Sequence, residues 1–260
     1  MLAQGPRSTA PPAPRAPDPD RLAWIRREAA RLEGRAPEEI LGWAVQKVPA
    51  GLSLACSFGM QSVVLIDMLH RLGLLSRVEV FYLDTGLLFE ETLAVREALR
   101  DRYGLEPVRV CPNLSLDEQA RRYGDRLWER DPTRCCALRK VEPLRRYLAE
   151  KEAWITGLRR AHGKTRAKVP VLHWDAANGL MKINPMAAVD EKEIWRYIHR
   201  RSVPYNALYD QGYPSIGCAP CTRPVAPGED PRSGRWAGQD KTECGIHVDG
   251  EVIKTAGSGI

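Results

Sequence analysis

Short apolar runs alternate with amphipathic segments along most of the chain. Four runs, each bounded by glycine or by polar residues, predict buried β-strands at 52–56, 78–83, 108–111 and 153–157. Apolar residues three and four positions apart predict helices at 21–32, 37–45, 63–69, 87–102, 133–148 and 191–201. Two further runs, 169–174 and 181–183, are expected to add edge strands. This alternation predicts an α/β fold with a mostly parallel sheet and helices on both faces.

Composition divides the chain into three parts. Residues 1–20 are rich in proline and alanine and contain no apolar stretch, which predicts a disordered tail. Residues 21–225 hold the predicted strands and helices, and they are expected to form one α/β domain. Residues 226–260 are rich in glycine and charge, which favours a mobile C-terminal arm over a part of the core.

The charge balance is mildly basic. Lysine and arginine number 39 against 33 aspartate and glutamate residues, which gives a net charge of +6. This excess suits an anionic small molecule or an acidic protein partner, and it is too diffuse to predict a nucleic-acid-binding surface. The chain has no apolar run long enough to span a bilayer, so we expect no membrane association.

The chain contains seven cysteines, and its first residues lack the apolar stretch of a secretory signal. We therefore expect a cytoplasmic protein in which metal binding or redox chemistry is the default use of cysteine, ahead of a disulfide framework. Cys56 and Cys111 lie in apolar runs and are interpreted as core thiols. The oligomeric state is left open, a homo-oligomer included.

Two turns at predicted strand ends are candidate ligand sites. The segment Ser57-Phe58-Gly59-Met60-Gln61-Ser62 links a strand to a helix, so backbone N–H groups and the helix dipole would face an anion there. An ordinary strand–helix turn with no ligand has the same pattern. The segment Asp84-Thr85-Gly86 follows the next strand, and polar residues at such strand ends lie where ligands bind in open α/β sheets.

Four cysteines occur as two close pairs, Cys135-Cys136 and Cys218-x-x-Cys221. Four thiolates are a common ligand set for a [4Fe-4S] cluster and also for tetrahedral zinc. Structural zinc sites normally separate paired cysteines by about two to four residues, so that the loop can wrap the ion. In an iron–sulfur cubane each thiolate binds a different iron, so an adjacent pair is less strained. The pattern therefore favours an iron–sulfur cluster over zinc, and zinc over a disulfide.

Lys140 lies four residues after Cys136 in a predicted helix, so the two side chains can share one face. A cation at this position could offset the negative charge of a thiolate-bound cluster. A solvated helix lysine without such a role explains the residue equally well.

The segment Lys241-Thr242-Glu243-Cys244-Gly245-Ile246-His247 lies in the predicted arm. A histidine three residues after a cysteine can lower the pKa of the thiol, and the flanking lysine also favours a thiolate. The cysteine could instead be a metal ligand, or a surface thiol without function. A reactive cysteine on a mobile arm can reach a substrate and then present itself to a second protein.

Several motifs together resemble the assimilatory adenylyl-sulfate reductases. They are Cys135-Cys136-x-x-Arg139-Lys140-Val141-x-Pro143-Leu144, Thr156-Gly157-x-Arg159-Arg160, Gly217-Cys218-x-Pro220-Cys221-Thr222 and Lys241-Thr242-Glu243-Cys244-Gly245-x-His247. The stretch Gly228-Glu229-Asp230-x-Arg232-x-Gly234-Arg235-Trp236 resembles that family's link to its C-terminal arm. The similarity runs from about residue 50 to 250, and the cysteine set and the terminal Glu-Cys-Gly-x-His are its most specific parts.

The resemblance implies an adenine-nucleotide α-hydrolase-like fold and the reduction of adenylyl sulfate to sulfite and AMP, in assimilatory sulfate reduction and cysteine biosynthesis. It implies that Cys244 attacks the sulfur to give an S-sulfocysteine, with thioredoxin or glutaredoxin as the reductant. His247 would lie beside Cys244, and Lys140 would lie between cluster and substrate. The strand-end turns would hold the adenosine, and the arginines would hold phosphate and sulfate. The implied substrate-binding residues are Ser57, Gly59, Leu83, Asp84, Thr85, Gly86, Arg159, Arg160, Arg166, Arg232 and Arg235.

Three alternatives to an adenylyl-sulfate reductase remain open. Related phosphoadenylyl-sulfate reductases usually keep the Glu-Cys-Gly-x-His arm but lack both cysteine pairs, so the pairs favour adenylyl sulfate over the 3′-phosphorylated nucleotide or dual use. A tRNA thiolation enzyme of the ATP-pyrophosphatase type is disfavoured, because Gln61 stands where that loop has an acidic residue that could serve magnesium. A non-enzymatic zinc-binding interaction module is the third alternative.

Overall fold

The predicted alternation of strands and helices forms one six-stranded sheet in the computed structural model, which describes residues 13–163 and 166–247. The strands are β1 Leu52–Ala55, β2 Glu79–Leu83, β3 Val108–Val110, β4 Ala153–Ile155, β5 Leu172–Asp175 and β6 Leu180–Ile183. Their order across the sheet is β3-β2-β1-β4-β6-β5. All neighbours pair in parallel except β5 and β6, which pair antiparallel. The prediction of a mostly parallel α/β sheet is therefore confirmed.

One predicted strand position is wrong. The run at 181–183 was expected at a sheet edge, but β6 pairs with β4 on one side and with β5 on the other. All four residues of β6 are buried, as an internal strand with both faces covered requires. β5 alone holds the edge on that side of the sheet.

Helices cover both faces of the sheet. Within the described residues they are α1 Pro19–Leu32, α2 Pro37–Lys47, α3 Met60–Arg71, α4 Glu90–Tyr103, α5 Leu116–Tyr123, α6 Leu127–Arg130, α7 Pro132–Cys136, α8 Glu142–Leu148 and α9 Glu191–Arg201. A single π-helical turn, Ala137–Val141, joins α7 to α8, so the predicted helix at 133–148 is continuous. Among the described residues, no helix combines the length and the apolar character that crossing a membrane would require.

Two hydrophobic clusters lie on opposite faces of the sheet. Side chains alternate along β2, so Val80 and Tyr82 enter the larger cluster, while Phe81 enters the smaller one on the other face. The smaller cluster is completed by Leu144 and Leu148 of α8. Ile246, from the C-terminal arm, also packs against it. The arm therefore reaches the sheet itself.

The N-terminal end of the chain differs from its predicted description where the structure describes it. Residues 1–12 and 248–260, and the pair at 164–165, lie outside the described residues. The remaining part of the predicted tail contacts the domain: Arg15 forms an ion pair with Glu152 at 3.0 Å, and Asp18 caps α1 through the Arg21 N–H group. The tail prediction therefore extends too far, because α1 begins at Pro19.

Candidate active site

A cavity of about 380 Å³ lies at the carboxyl ends of β1, β2 and β4, between the sheet and the C-terminal arm. This is the edge at which parallel α/β sheets present strand-end turns to a ligand. The predicted site residues that line it are Ser57, Gly59, Leu83, Thr85, Lys140, Arg159, Arg166, Arg232, Arg235, Cys244 and His247. Asp84, Gly86 and Arg160 do not line it.

The β1–α3 turn forms the floor of the cavity. Phe58 adopts a left-handed backbone conformation with φ of 57° and is buried, and such strain in a non-glycine residue often marks a functional turn. Gly59 caps α3, and the first helical N–H group, that of Met60, donates to the Tyr209 hydroxyl at 3.2 Å. Burial raises the pKa of Tyr209 to about 12, so its hydroxyl stays protonated. No local sequence pattern points to Tyr209, because it lies 149 positions from Met60 along the chain.

The residues of the turn after β2 differ in whether they face the cavity. The Asp84 carboxylate accepts hydrogen bonds from the Gly86 N–H at 2.9 Å and from the Arg109 Nε at 2.6 Å. Asp84 and Gly86 therefore shape the turn, and their assignment to substrate binding is not supported by contact with the cavity. Thr85 does line the cavity, and its hydroxyl lies 3.4 Å from the Cys218 sulfur.

The four paired cysteines come together beside this turn. Cys135, Cys136 and Cys218 are buried, Cys221 is half-buried, and none of the seven cysteines is in a disulfide. Burial first, and then the neighbouring thiols Cys136, Cys218 and Cys221, raise the pKa of Cys135 to about 12. The four thiols therefore lie near enough to influence one another electrostatically.

This thiol group does not have the form of a single-ion site. In the described part of the chain, no three or more histidine, cysteine, aspartate or glutamate side chains converge closely enough to hold one metal ion together. Tetrahedral zinc needs four ligand atoms around one centre, each at about 2.3 Å for sulfur. A cubane cluster instead needs four thiolates spread around it, each on a different iron. The preference for a cluster over zinc therefore rests on the adjacency of Cys135 and Cys136 in the sequence.

The π-helical turn carries two basic side chains close to the cysteines. Arg139 is buried, and it donates to the Thr85 carbonyl, the Leu114 carbonyl and the Gln119 side chain. Lys140 lines the cavity itself. Burial opposes the charge of Lys140, but nearby thiols, chiefly those of Cys218 and Cys244, raise its pKa.

The start of the arm is fixed to the loop that carries the second cysteine pair. Trp236 is buried, and its N–H donates to the Cys221 carbonyl at 3.1 Å. Arg235 forms an antiparallel bridge with Thr222. Its guanidinium lies so close to Gly217 that a β-carbon there would collide with it. Glycine at this position therefore lets Arg235 face the cavity.

Two of the predicted arginines have partners in the domain. Arg159 is buried and donates to Glu191 at 2.6 Å while lining the cavity. Arg160 points away from the cavity, because its guanidinium binds Glu33 through two hydrogen bonds of 2.8 and 2.9 Å. The assignment of Arg160 to substrate binding is therefore not supported by its position.

Two further cavity arginines, Arg166 and Arg232, bind a carboxylate from the arm. Arg166 binds both oxygens of Glu243, through Nε at 3.0 Å and Nη2 at 2.7 Å. Arg232 donates to the same carboxylate at 3.3 Å and to the Thr242 carbonyl at 2.7 Å. Cys244 follows directly and lines the cavity. Glu243 belongs to the terminal Glu-Cys-Gly-x-His motif, whose local sequence does not indicate this contact.

The end of the described arm lies over the sheet. His247 stacks on Trp154 of β4, with 5.6 Å between ring centroids and 19° between ring planes. Ile246 packs into the smaller hydrophobic cluster. These contacts bring Cys244 and His247, predicted from sequence to act together, to the same cavity.

Comparison with known proteins gives consistent results. Residues 51–224 match the model of the phosphoadenosine phosphosulfate reductase domain. A phosphoadenosine 5′-phosphosulfate reductase from Gloeobacter violaceus is 48% identical, covering 85% of this chain and 92% of its own. Adenosine 5′-phosphosulfate reductase 1 from Bacillus subtilis is also 48% identical, covering 80% of this chain and 89% of its own. A crystal structure of phosphoadenylyl-sulfate reductase from Candida auris, in complex with phosphate, superposes with a TM-score of 0.68 at 29% identity, covering 81% of this chain and all of that one.

Proposed function

The chain belongs to the phosphoadenosine phosphosulfate reductase family, and we propose that it reduces adenylyl sulfate to sulfite and AMP in assimilatory sulfate reduction. The observation that carries the proposal is the shared cavity. Cys244 of the arm, the β1–α3 turn and three arginines, Arg166, Arg232 and Arg235, all line it. A nucleophile and an anion-binding set facing one space are what a thiolate attack on an activated sulfate requires.

In the first proposed step, the Cys244 thiolate forms a bond to the sulfate sulfur. The bond between that sulfur and the bridging phosphate oxygen breaks, and its electron pair leaves with AMP. The enzyme then carries an S-sulfocysteine at Cys244. Lys140 and the arginines stabilise the negative charge that grows on the leaving phosphate, because cations in a partly enclosed site act more strongly than in water.

In the second proposed step, a dithiol reductant such as thioredoxin or glutaredoxin supplies both electrons. One of its thiolates attacks the Cys244 sulfur, and sulfite leaves with the electron pair of the sulfur–sulfur bond. The second thiol of the reductant then releases Cys244 and completes its own disulfide. The position of Cys244 on the C-terminal arm, outside the helices and strands of the domain, supports a handover of this kind.

We also propose that Cys135, Cys136, Cys218 and Cys221 hold a [4Fe-4S] cluster. The burial of three of these cysteines and the mutual influence of their thiols support this ligand set. Such a cluster, when bound, supplies a charged and redox-active centre beside Lys140. The thiol route described above draws its electrons from the dithiol and not from this centre. All seven cysteines are free thiols, as expected for the cytoplasmic location predicted from the sequence.

The second candidate function is use of the 3′-phosphorylated nucleotide, either alone or with adenylyl sulfate. One relative at 48% identity bears the name of a phosphoadenosine phosphosulfate reductase, and another at 48% that of an adenosine phosphosulfate reductase. The two cysteine pairs favour adenylyl sulfate. Measuring kcat/KM for both nucleotides decides between them, and a higher value for the 3′-phosphorylated one would reverse the assignment.

The test of the proposal is turnover with adenylyl sulfate and reduced thioredoxin, in the absence of ATP. We expect AMP and sulfite in equal amounts. A requirement for ATP together with RNA modification would support a thiolation enzyme. One bound zinc in place of iron and labile sulfide, without turnover, would support an interaction module.

Replacing Lys140 by alanine is expected to slow AMP release by about 10- to 1,000-fold, because the leaving phosphate loses a nearby cation. The fold should be retained, as the side chain faces the cavity. Arg145→Ala is the matched control, since Arg145 is an exposed cation on α8 of the same helical segment. Single-turnover rates of both variants are compared, and an unchanged rate for Lys140→Ala would make this lysine a solvated residue without a catalytic role.

A further inference from the structure

The arm carboxylate Glu243 occupies the guanidinium groups that the proposed function needs for its substrate. Arg166 presents two nitrogens to the two oxygens of Glu243, at 3.0 and 2.7 Å, in the paired arrangement by which guanidinium also binds phosphate and sulfate. Arg232 adds a third hydrogen bond to the carboxylate at 3.3 Å. Glu243 thus makes the contacts that an anionic ligand of this cavity would make.

These ion pairs are partly shielded from water. The Arg166, Glu243 and Arg232 side chains are 12%, 19% and 22% exposed. Exposed pairs contribute little, but pairs with restricted solvent access are screened less. Burial lowers the pKa of Arg232, and Glu243 is the largest of the nearby charges that oppose this shift. The carboxylate therefore offsets the cost of placing these cations at the cavity.

The covalent arrangement links this ion pair to the nucleophile. Glu243 and Cys244 are adjacent in the chain, and Arg232 also binds the backbone carbonyl of Thr242 at 2.7 Å, so these contacts together hold the backbone that carries the Cys244 thiol. Gly245, the next residue, has a left-handed φ of 90°, which other residues adopt with strain. A β-carbon there would lie 3.3 Å from Val141 in the π-helical turn. Glycine thus lets the chain bend directly after the cysteine.

We propose that Glu243 is a positioning residue that competes with the nucleotide anion for Arg166 and Arg232. Without nucleotide, its carboxylate holds the arm over the cavity. When a nucleotide phosphate or sulfate takes the two guanidinium groups, Glu243 is displaced and Cys244 is released to approach the sulfur. This inference rests on the proposed function, and it adds a coupling between substrate arrival and movement of the nucleophile.

The test is nucleotide binding to Glu243→Gln by calorimetry, with AMP and inorganic sulfate as the probes. The amide keeps the shape of the side chain but removes the competing charge, so AMP is expected to bind about three- to tenfold more tightly than to the unchanged protein. Glu229→Gln is the matched control, because this exposed glutamate of the same arm contacts Ser233 and not the cavity arginines. It should leave AMP affinity unchanged.

A double-mutant cycle separates direct competition from a general change in charge. In an Arg166→Gln background, Glu243→Gln is expected to lose most of its effect on AMP affinity, because the two residues act through one contact. If the Glu243 carboxylate only fastened the arm, Glu243→Gln would instead weaken AMP binding. Equal or weaker AMP binding by Glu243→Gln overturns the inference. Because AMP binding needs no turnover, that result would leave the proposed reduction of adenylyl sulfate untouched.

Discussion

Cys244→Ser is expected to lower sulfite release by at least about 1,000-fold, because a hydroxyl cannot replace the thiolate that forms the bond to sulfur. Binding of AMP should remain, since the strand-end turns and the cavity arginines are unchanged. Sulfite release with reduced thioredoxin gives the first quantity, and calorimetric titration with AMP gives the second. The combination of lost turnover and retained binding identifies a nucleophile and not a structural residue.

The matched control for this substitution is Cys111→Ser. Cys111 is a half-buried thiol after β3 that does not line the cavity, so its replacement should leave sulfite release near that of the unchanged protein. If Cys244→Ser kept a substantial rate, the arm cysteine could not be the group that accepts the sulfonate.

Cys218→Ser is expected to remove most of the iron and labile sulfide from the purified protein and to abolish turnover. Cys218 is held in place by several contacts: it is buried, bridges to Leu88 after β2 and contacts the Thr85 hydroxyl. A serine oxygen there is a poor ligand for iron that prefers thiolate. Iron and sulfide analysis, with the absorption spectrum of the purified variant, measures the loss.

Thermal unfolding of the same sample shows whether the loss of iron accompanies loss of the fold. Cys111→Ser again serves as the control and should retain its iron. Full iron and sulfide in Cys218→Ser would remove Cys218 from the proposed ligand set. One zinc per chain in the unchanged protein would instead replace the cluster by a single-ion site.

Local signals in the sequence predicted most of the fold. Apolar runs marked the strands, and helical spacing of apolar residues predicted α9 at 191–201, which the structure has at Glu191–Arg201. Strand order depends on which segments pair, and no local pattern contains that information. The run at 181–183 was therefore placed at an edge, whereas β6 lies between β4 and β5.

The candidate site was predicted less completely, because several of its contacts join distant segments. Tyr209 meets the start of α3, and Glu243 meets Arg166, across 149 and 77 positions of the chain. Arg160 stands next to Arg159 in the sequence, yet it binds Glu33 at the surface while Arg159 lines the cavity. Sequence can identify the residue types that suit an anion, but the folded chain decides which of them face it.

Mass spectrometry of the intact holoenzyme, mixed with adenylyl sulfate without any reductant, tests the central claim most directly. The account predicts that the chain gains the mass of one sulfonate group, that peptide mapping places it on Cys244, and that reduced thioredoxin removes it as sulfite. An unmodified Cys244 after AMP has been released, or a sulfonate on another residue, would contradict the account.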